Sequence, residues 1–292
     1  MVRKSERQVE VLIEALPFIR QFQNKAVVIK YGGSAMTEEG LPEAVMLDVI
    51  LMRYVGMRPV IVHGGGPQID KVIKQQGLQP RFVDGLRVTD AETMRIVEMV
   101  LVGEINSNLV SLINRHGGCA VGLSGKDGGL IKAARIRHRR QGARGPQGID
   151  LGQVGQVVQV DPRLLLTLEE AGFIPCIAPI GADEEGRTYN INADSVAGEV
   201  AAALAAEKLI LLSDTDGILD REGNLISSLN RKEIRRLIRE GVIAEGMLPK
   251  VEACLRALDG GVGKAHIING KVPHCLLLEI FTERGIGTEI LN

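Results

Sequence analysis

Several stretches of this sequence combine lysine, glycine and acidic residues in a way that can act on an anion. The apolar run Val27-Val28-Ile29 ends in Lys30-Tyr31-Gly32-Gly33, which reads as a buried strand delivering a cation to a turn of bare backbone. Gly32 and Gly33 lack a Cβ, so their N–H groups can approach phosphate oxygens closely. Taken alone, a tight turn with Lys30 snorkelling to solvent is the simpler account. A second run, Pro59-Val60-Ile61-Val62-His63, also ends in glycines, Gly64-Gly65-Gly66, and Pro67 suits the first turn of a following helix. Two such loops point to one anionic ligand held from two sides. Asp194 opens a helix, and Lys250 lies in Gly246-Met247-Leu248-Pro249-Lys250. Arg87 stands just before a helix N-terminus, as an ordinary surface charge or as a clamp for a carboxylate.

Phosphoryl transfer asks mainly for positioning and charge stabilisation, which fixed lysines and backbone N–H groups provide. A carboxylate acceptor is ionised at neutral pH and needs no general base. Lys30 and Lys250, oriented by Asp194 beside the glycine turns, suit that chemistry. Neither loop matches G-x-G-x-x-G with an acidic residue about twenty positions later, and no Walker lysine, serine nucleophile elbow or H-E-x-x-H is present.

These residues need strands ending at one edge. Strands are expected at 27–31, 60–63, 119–123, 154–160, 173–179, 188–192, 208–212, 264–268 and 288–291. Helices are expected at 5–22 (kinked or restarted at Pro17), 37–56, 67–76, a long span to 116, 162–172, 193–206, 230–240, 248–258 and 273–281. Thr89-Asp90-Ala91-Glu92 has capping-box spacing, as does Asn230 with Glu233. Alternation of this kind predicts an α/β sandwich with a mostly parallel sheet. The basic stretch from Lys132 to Arg144 reads as a solvated loop or protruding hairpin. The apolar stripe Val9, Leu12, Ile13 and Leu16 needs a partner, either the chain's own body or another subunit.

With 292 residues, 45% hydrophobic and 24% charged, the chain has the balance of a soluble globular protein. A net charge of −1 and no Trp argue against nucleic acid or a membrane surface as partner. Cys119, Cys176, Cys254 and Cys275 are widely spaced, which fits reduced thiols rather than zinc or disulfides; Cys119 and Cys176 read as core filler. Early charges rule against a signal peptide, and charges interrupt every apolar run before it reaches bilayer length, so a cytoplasmic protein is expected.

In order along the chain, K-Y-G-G, V-H-G-G-G-P, G-L-R-V-T, N-I-N-A-D, L-S-D-T-D-G-I-L and G-M-L-P-K-V resemble the motifs of the N-acetylglutamate kinases, members of the amino acid kinase superfamily. The resemblance implies a three-layer αβα sandwich and ATP-dependent phosphorylation of the side-chain carboxylate of N-acetyl-L-glutamate in arginine biosynthesis. It implies that Lys30 and Lys250 stabilise the transferring phosphoryl group with Asp194 holding them. Gly32, Gly33, Gly65 and Gly66 would offer N–H groups to the phosphates and the acceptor carboxylate; Arg87 and Asn190, with Asn192, would hold the rest of the substrate. Asp214, Gly217, Ile218, Leu219, Val242, Ile243 and Ala244 would line the nucleotide pocket, with Mg²⁺ carried by the ATP phosphates and no protein metal cage. Residues 1–23 resemble the N-terminal helix of the arginine-inhibited hexamers (trimers of dimers), followed by an acyl-substrate lobe at 24–190 and an ATP lobe at 191–292 in one continuous kinase domain. Lys208, His266 and Glu279 resemble part of the arginine pocket of those members, and this shifts the helix toward the subunit-interface reading. Phe18 stands where such relatives often carry Tyr, which removes a hydroxyl. A kinase for an N-modified α-aminoadipate competes, since one methylene shifts discrimination by only about 1–3 kcal/mol; a non-catalytic arginine-sensing subunit is the other alternative.

Overall fold

The apolar runs that end in glycine form the middle of the fold. The computed structural model describes residues 2–136 and 149–292. Helix α1 (Val2–Phe22) leads into strand β1 (Ala26–Tyr31), helix α2 (Leu41–Tyr54), strand β2 (Arg58–His63) and helix α3 (Gly66–Gln75). The hairpin β3 (Phe82–Val83) and β4 (Leu86–Arg87) precedes α4 (Ala91–Glu98), a π-helical turn (Met99–Asn106) and α5 (Ser107–Arg115), which run on as one helix. Next come β5 (Ala120–Ser124), β6 (Ile131–Arg135), β7 (Val154–Val160), α6 (Arg163–Glu170), β8 (Ile174–Ala178), β9 (Ile180–Ala182) and β10 (Thr188–Ile191). The remainder is α7 (Ala193–Ala203), β11 (Lys208–Ser213), β12 (Ser228–Asn230), α8 (Arg231–Arg239), α9 (Met247–Asp259), β13 (Lys264–Asn269), α10 (Cys275–Ile280) and β14 (Thr288–Leu291).

Eight strands form one sheet in the order β12-β14-β13-β11-β1-β2-β8-β5, parallel except where β13 meets β14. A parallel strand covered on both faces must be apolar throughout, and Val27, Val28 and Ile29 are fully buried. Val28, Leu209 and Leu211 face Val196, Ala197 and Val251 of α7 and α9, whereas Val27, Ile29 and Ile210 face Met46 and Val49 of α2. This is the expected αβα sandwich.

Some local features differ from the sequence reading. Residues 37–40 are not helical: a 3₁₀ turn at Gly33–Met36 and Gly40 at φ +78° precede α2, whose first turn takes Pro42. Asp90, not Thr89, caps α4, accepting from the Thr93 N–H at 2.9 Å; Thr89 is buried and donates its hydroxyl to the Arg87 carbonyl. Helix α1 continues through Pro17 without restarting. Lys132 to Arg135 belong to β6, which pairs antiparallel with the next strand β7, so of the two readings of this stretch the hairpin fits and the loop does not; β10, β7, β6 and β9 close as a small barrel that the sequence pattern does not announce. The remaining basic residues, Arg137 to Arg144, lie outside the described residues. Cys119 is exposed rather than core filler; Cys176, Cys254 and Cys275 are buried. Val9, Leu12, Ile13 and Leu16 are exposed, so the chain's own body does not cover that stripe. By length and composition Ala91–Arg115 passes for a bilayer span, but Met94, Val97, Val100, Leu101 and Ile105 on it are buried in the protein.

Candidate active site

Parallel strands put their carboxyl ends on one edge of the sheet, and β1 and β2 are paired so that Lys30 lies beside Val62 and Tyr31 beside His63. The two glycine loops therefore leave the sheet together, and the Gly64 N–H donates to the Tyr31 carbonyl at 2.7 Å. A Cβ on Gly32 would lie 2.9 Å from Lys30 Nζ, so a side chain there would displace the lysine's ammonium where it crosses the loop. Gly33 has φ +65°, and a Cβ there would meet Asp214 Oδ1 at 2.6 Å.

Asn192 caps α7 by accepting from the Ser195 N–H at 3.0 Å, which places Asp194 in the first turn, where the helix dipole favours a carboxylate. Asp194 Oδ1 lies 3.1 Å from Lys30 Nζ, and Lys250 Nζ donates to Asp194 Oδ2 at 3.2 Å. Burial alone would raise the Asp194 carboxyl, but the two ammonium charges more than offset it and hold its pKa below the ordinary value. Lys250 reaches this carboxylate because α7 and α9 cross almost backbone to backbone. Gly198, one turn beyond Asp194, has its Cβ position 2.7 Å from the carbonyl oxygen of Ala253, one turn beyond Lys250. Each ammonium has three donors, so both retain capacity for an anion after engaging Asp194.

Arg87 is buried and already clamps a carboxylate of its own chain: Nη1 donates to Asp70 Oδ1 at 2.5 Å, and Nη2 to the Gly66 carbonyl at 3.3 Å. Its guanidinium also stacks 4.6 Å from the Phe82 ring centroid. Asn190 joins it through Thr89, whose Oγ1 accepts from Asn190 Nδ2 at 3.3 Å while donating to the Arg87 carbonyl at 2.8 Å. Arg87 and Asn190, the residues expected to hold the substrate, are thus connected to one another and to the second glycine loop.

The residues expected around a nucleotide divide into two kinds. Asp214 is exposed and lies against Gly33, Ala244 is exposed and Val242 half-buried. Ile218 and Ile243 are core residues packed with the α7–α9 layer, so their side chains are withdrawn from a ligand, and the Ile218 carbonyl already accepts from the Ile226 N–H at 2.9 Å. Gly217 at φ +147° is wedged against Thr288, whose Oγ1 accepts from the Ile218 N–H at 2.8 Å, and Leu219 bridges Leu225.

Lys208, His266 and Glu279 do converge. Lys208 Nζ lies 3.2 Å from His266 Nε2, and His266 Nδ1 lies 2.7 Å from Glu279 Oε1. They line a cavity of about 710 Å³ together with Phe18, Phe22 and Arg284. Burial lowers the Lys208 and His266 pKa values; it would raise that of Glu279, but the hydrogen bond to His266, with that from the Ile286 N–H and the Lys208 charge, holds it down.

Sequence reasoning missed a buried polar pair under the second loop. His63 is fully buried; its Nδ1–H donates to the Gly64 carbonyl at 3.0 Å, and Nε2 accepts from Asn106 Nδ2 at 3.0 Å. Asn106 closes the π-helical turn and also donates to the Cys176 carbonyl at 2.9 Å. Burial pushes the His63 imidazole down to about 4, so it is neutral near pH 7. The signal available was one Asn at the end of the otherwise apolar Met99–Ile105 run.

Two lysines share one buried carboxylate beside paired glycine turns at a parallel-sheet edge, an arrangement whose charge suits an anion such as a phosphate, and the chain belongs to the amino acid kinase family, whose model matches residues 25–269. It is 54% identical over 291 residues to the acetylglutamate kinase of Solidesulfovibrio magneticus, covering 99% of this chain and 98% of that one. It is 55% identical to the acetylglutamate kinase of Persephonella marina, covering 97% of each. Among solved structures it resembles the N-acetylglutamate synthase of Neisseria gonorrhoeae complexed with coenzyme A and N-acetyl-glutamate, at 29% identity and TM-score 0.85, over 97% of this chain and 63% of that one. The same synthase complexed with coenzyme A and L-arginine matches at TM-score 0.81 and 28% identity, over 97% of this chain and 65% of that one. The carbamate kinase of Giardia lamblia shares the fold at 16% identity and TM-score 0.63, over 92% and 98% of the two chains. Within its family the chain groups with the acetylglutamate kinases, enzymes that use ATP.

Proposed function

We propose that the chain transfers the γ-phosphoryl group of ATP to the side-chain carboxylate of N-acetyl-L-glutamate, giving an acyl phosphate for arginine biosynthesis. The observation that carries this reading is Asp194 shared by Lys30 and Lys250 beside two glycine loops. A carboxylate oxygen attacks phosphorus and ADP leaves; no proton has to move, so charge stabilisation is the main task. Lys30 and Lys250 stabilise the transferring group, and Asp194 spaces them without neutralising both. Gly32, Gly33, Gly65 and Gly66 supply backbone donors. Arg87 and Asn190 hold the substrate's α-carboxylate and acetamide end, with Asp70 keeping the guanidinium in place until substrate arrives. Asn192 sets the start of α7. The backbone around Asp214 to Leu219 and Val242 to Ala244 faces the nucleotide. Ammonium and N–H donors fit phosphates and offer Mg²⁺ a seat only through those phosphates.

Residues 24–190 form the acyl-substrate lobe and residues 191–292 the nucleotide lobe. Arginine binds in the cavity lined by Lys208, His266 and Glu279 and inhibits; an acid facing two nitrogen bases suits a guanidinium or an amino acid's charges. The Neisseria synthase solved with arginine supports this. The exposed stripe of α1 is covered by α1 of another subunit in a hexamer, and the enzyme works in the cytoplasm.

The test is turnover of purified protein with ATP and N-acetyl-L-glutamate in hydroxylamine, with and without arginine. Hydroxamate that arginine suppresses is expected. Hydroxamate insensitive to arginine removes the regulatory reading, and hydroxamate only with α-aminoadipate derivatives moves the assignment to a homologous kinase. Silence with every acyl acceptor leaves an arginine-sensing protein.

A further inference from the structure

We propose that His63 is a positioning residue that fixes the Gly64–Gly65 peptide and so aims the Gly65 N–H at the reacting anion. A trans peptide is planar, so its C=O and N–H point in opposite directions. The Gly64 carbonyl accepts from His63 Nδ1–H at 3.0 Å, and His63 is fully buried beneath the loop. The Gly65 N–H of the same peptide is therefore turned away from the core, toward the side where the glycine loops open. Rotating this peptide would exchange an anion-binding donor for a repelling carbonyl.

Every partner of His63 holds it in the tautomer this task needs. The Gly64 carbonyl can only accept, which places the ring proton on Nδ1 and leaves Nε2 as an acceptor facing the Asn106 amide nitrogen at 3.0 Å. The two hydrogens of the Asn106 amide are shared among Nε2 and the Cys176 and Leu123 carbonyls of β8 and β5, which lie at 2.9 and 3.3 Å and hold the amide in place. It reaches them from the last position of the π-helical turn, a widened register that recurs at functional sites. The same turn closes on the loop from the other side: a Cβ on Gly65 would lie 2.4 Å from Ile105 Cδ1 and 2.7 Å from Leu101 Cδ2. The peptide is thus clamped between a hydrogen bond and a wall of apolar side chains. Gly65 has φ 169°, open to any residue, so its glycine is required by contact rather than by conformation.

The inference rests on the reading of Gly65 as a donor to the transferring phosphoryl group or the acceptor carboxylate. It is tested with His63→Leu, His63→Gln and His63→Asn. The Asn amide nitrogen stands near the Nδ1 position and keeps the donor to Gly64; the Gln amide reaches the Nε2 position and loses it. Removing one donor of this kind lowers kcat by about 10²–10³-fold. H63Q and H63L are expected to lose at least 30-fold in kcat, with KM for both substrates changed less than about threefold, and H63N to recover at least tenfold of that loss. H63N and H63Q keep the comparison valid where H63L fails to fold. Equal kcat for H63N and H63Q overturns the inference. Wild-type protein inactive with N-acetyl-L-glutamate overturns the functional reading instead. The crystal structure of H63Q separates the two whatever the substrate: a rotated Gly64–Gly65 peptide supports the inference, and an unchanged one refutes it.

Discussion

Gly198→Ala is expected to damage catalysis more than stability. A Cβ at Gly198 would lie 2.7 Å from the Ala253 carbonyl oxygen and 3.3 Å from its carbon, both backbone atoms that cannot swing aside. Relief to ordinary contact requires α7 and α9 to part by about 0.7 Å. Asp194 and Lys250 sit one turn along the same two helices, so most of that movement reaches their 3.2 Å contact and lengthens it past hydrogen-bonding range. A misplacement of about 1 Å near reacting groups costs about 10²-fold, so kcat should fall about 10–30-fold. Overpacking costs about 1–3 kcal/mol, and exchanging Gly for Ala inside a helix returns about 1 kcal/mol, leaving a net loss of about 0–2 kcal/mol. Steady-state kinetics and urea unfolding on one preparation measure both quantities. A kcat within twofold of wild type would refute the claim that this crossing sets the lysine–aspartate geometry.

Lys30→Ala should lower kcat by about 10²–10³-fold while the cooperative unfolding transition is retained; unchanged turnover would remove Lys30 from the mechanism. Gly33→Ala forces a φ of +65° on a residue with a Cβ and presses it against Asp214, so a cost of about 1–2 kcal/mol and a raised KM for ATP are expected, the second measured by initial rates. Glu169 should make stability fall with rising pH. Burial raises its carboxyl from 4.5 to about 7, against the pull of Arg58 and Arg53, so the folded chain holds a proton that the unfolded chain releases above 4.5. The penalty grows from pH 4.5 through 7 and is complete above that; Glu169→Gln should therefore gain about 1–2 kcal/mol at pH 8 relative to pH 5 after solvent screening is allowed for, measured by denaturant unfolding.

Lys30 and the glycine loops were legible because a buried parallel strand must be apolar throughout, which makes its terminal cation conspicuous. Asp194 and Lys250 were legible as individual residues, but their meeting depends on Gly198 fitting against Ala253, a contact between residues 55 positions apart that no local pattern reports. The capping box misled by one residue because both Thr89 and Asp90 are good caps, and the bridge from Thr89 to Gly152 decided between them. The start of α2 misled because residues 37–39 favour a helix by composition while Gly40 breaks the chain direction. The π-helical turn was invisible since its widened register is set by the buried partners of Asn106, supplied by β2, β5 and β8. The exposure of Cys119 follows from its place just before β5 begins, one residue short of the buried pattern.

The central claim is that the site moves a phosphoryl group onto a carboxylate oxygen. N-acetyl-L-glutamate labelled with ¹⁸O in its side-chain carboxylate, turned over with unlabelled ATP and trapped with hydroxylamine, tests this directly. Attack of hydroxylamine on the acyl carbon releases phosphate that keeps the bridging oxygen. Mass spectrometry should find one ¹⁸O in each phosphate released, matching the hydroxamate formed. Unlabelled phosphate would mean that water or another group accepted the phosphoryl, and would contradict the account.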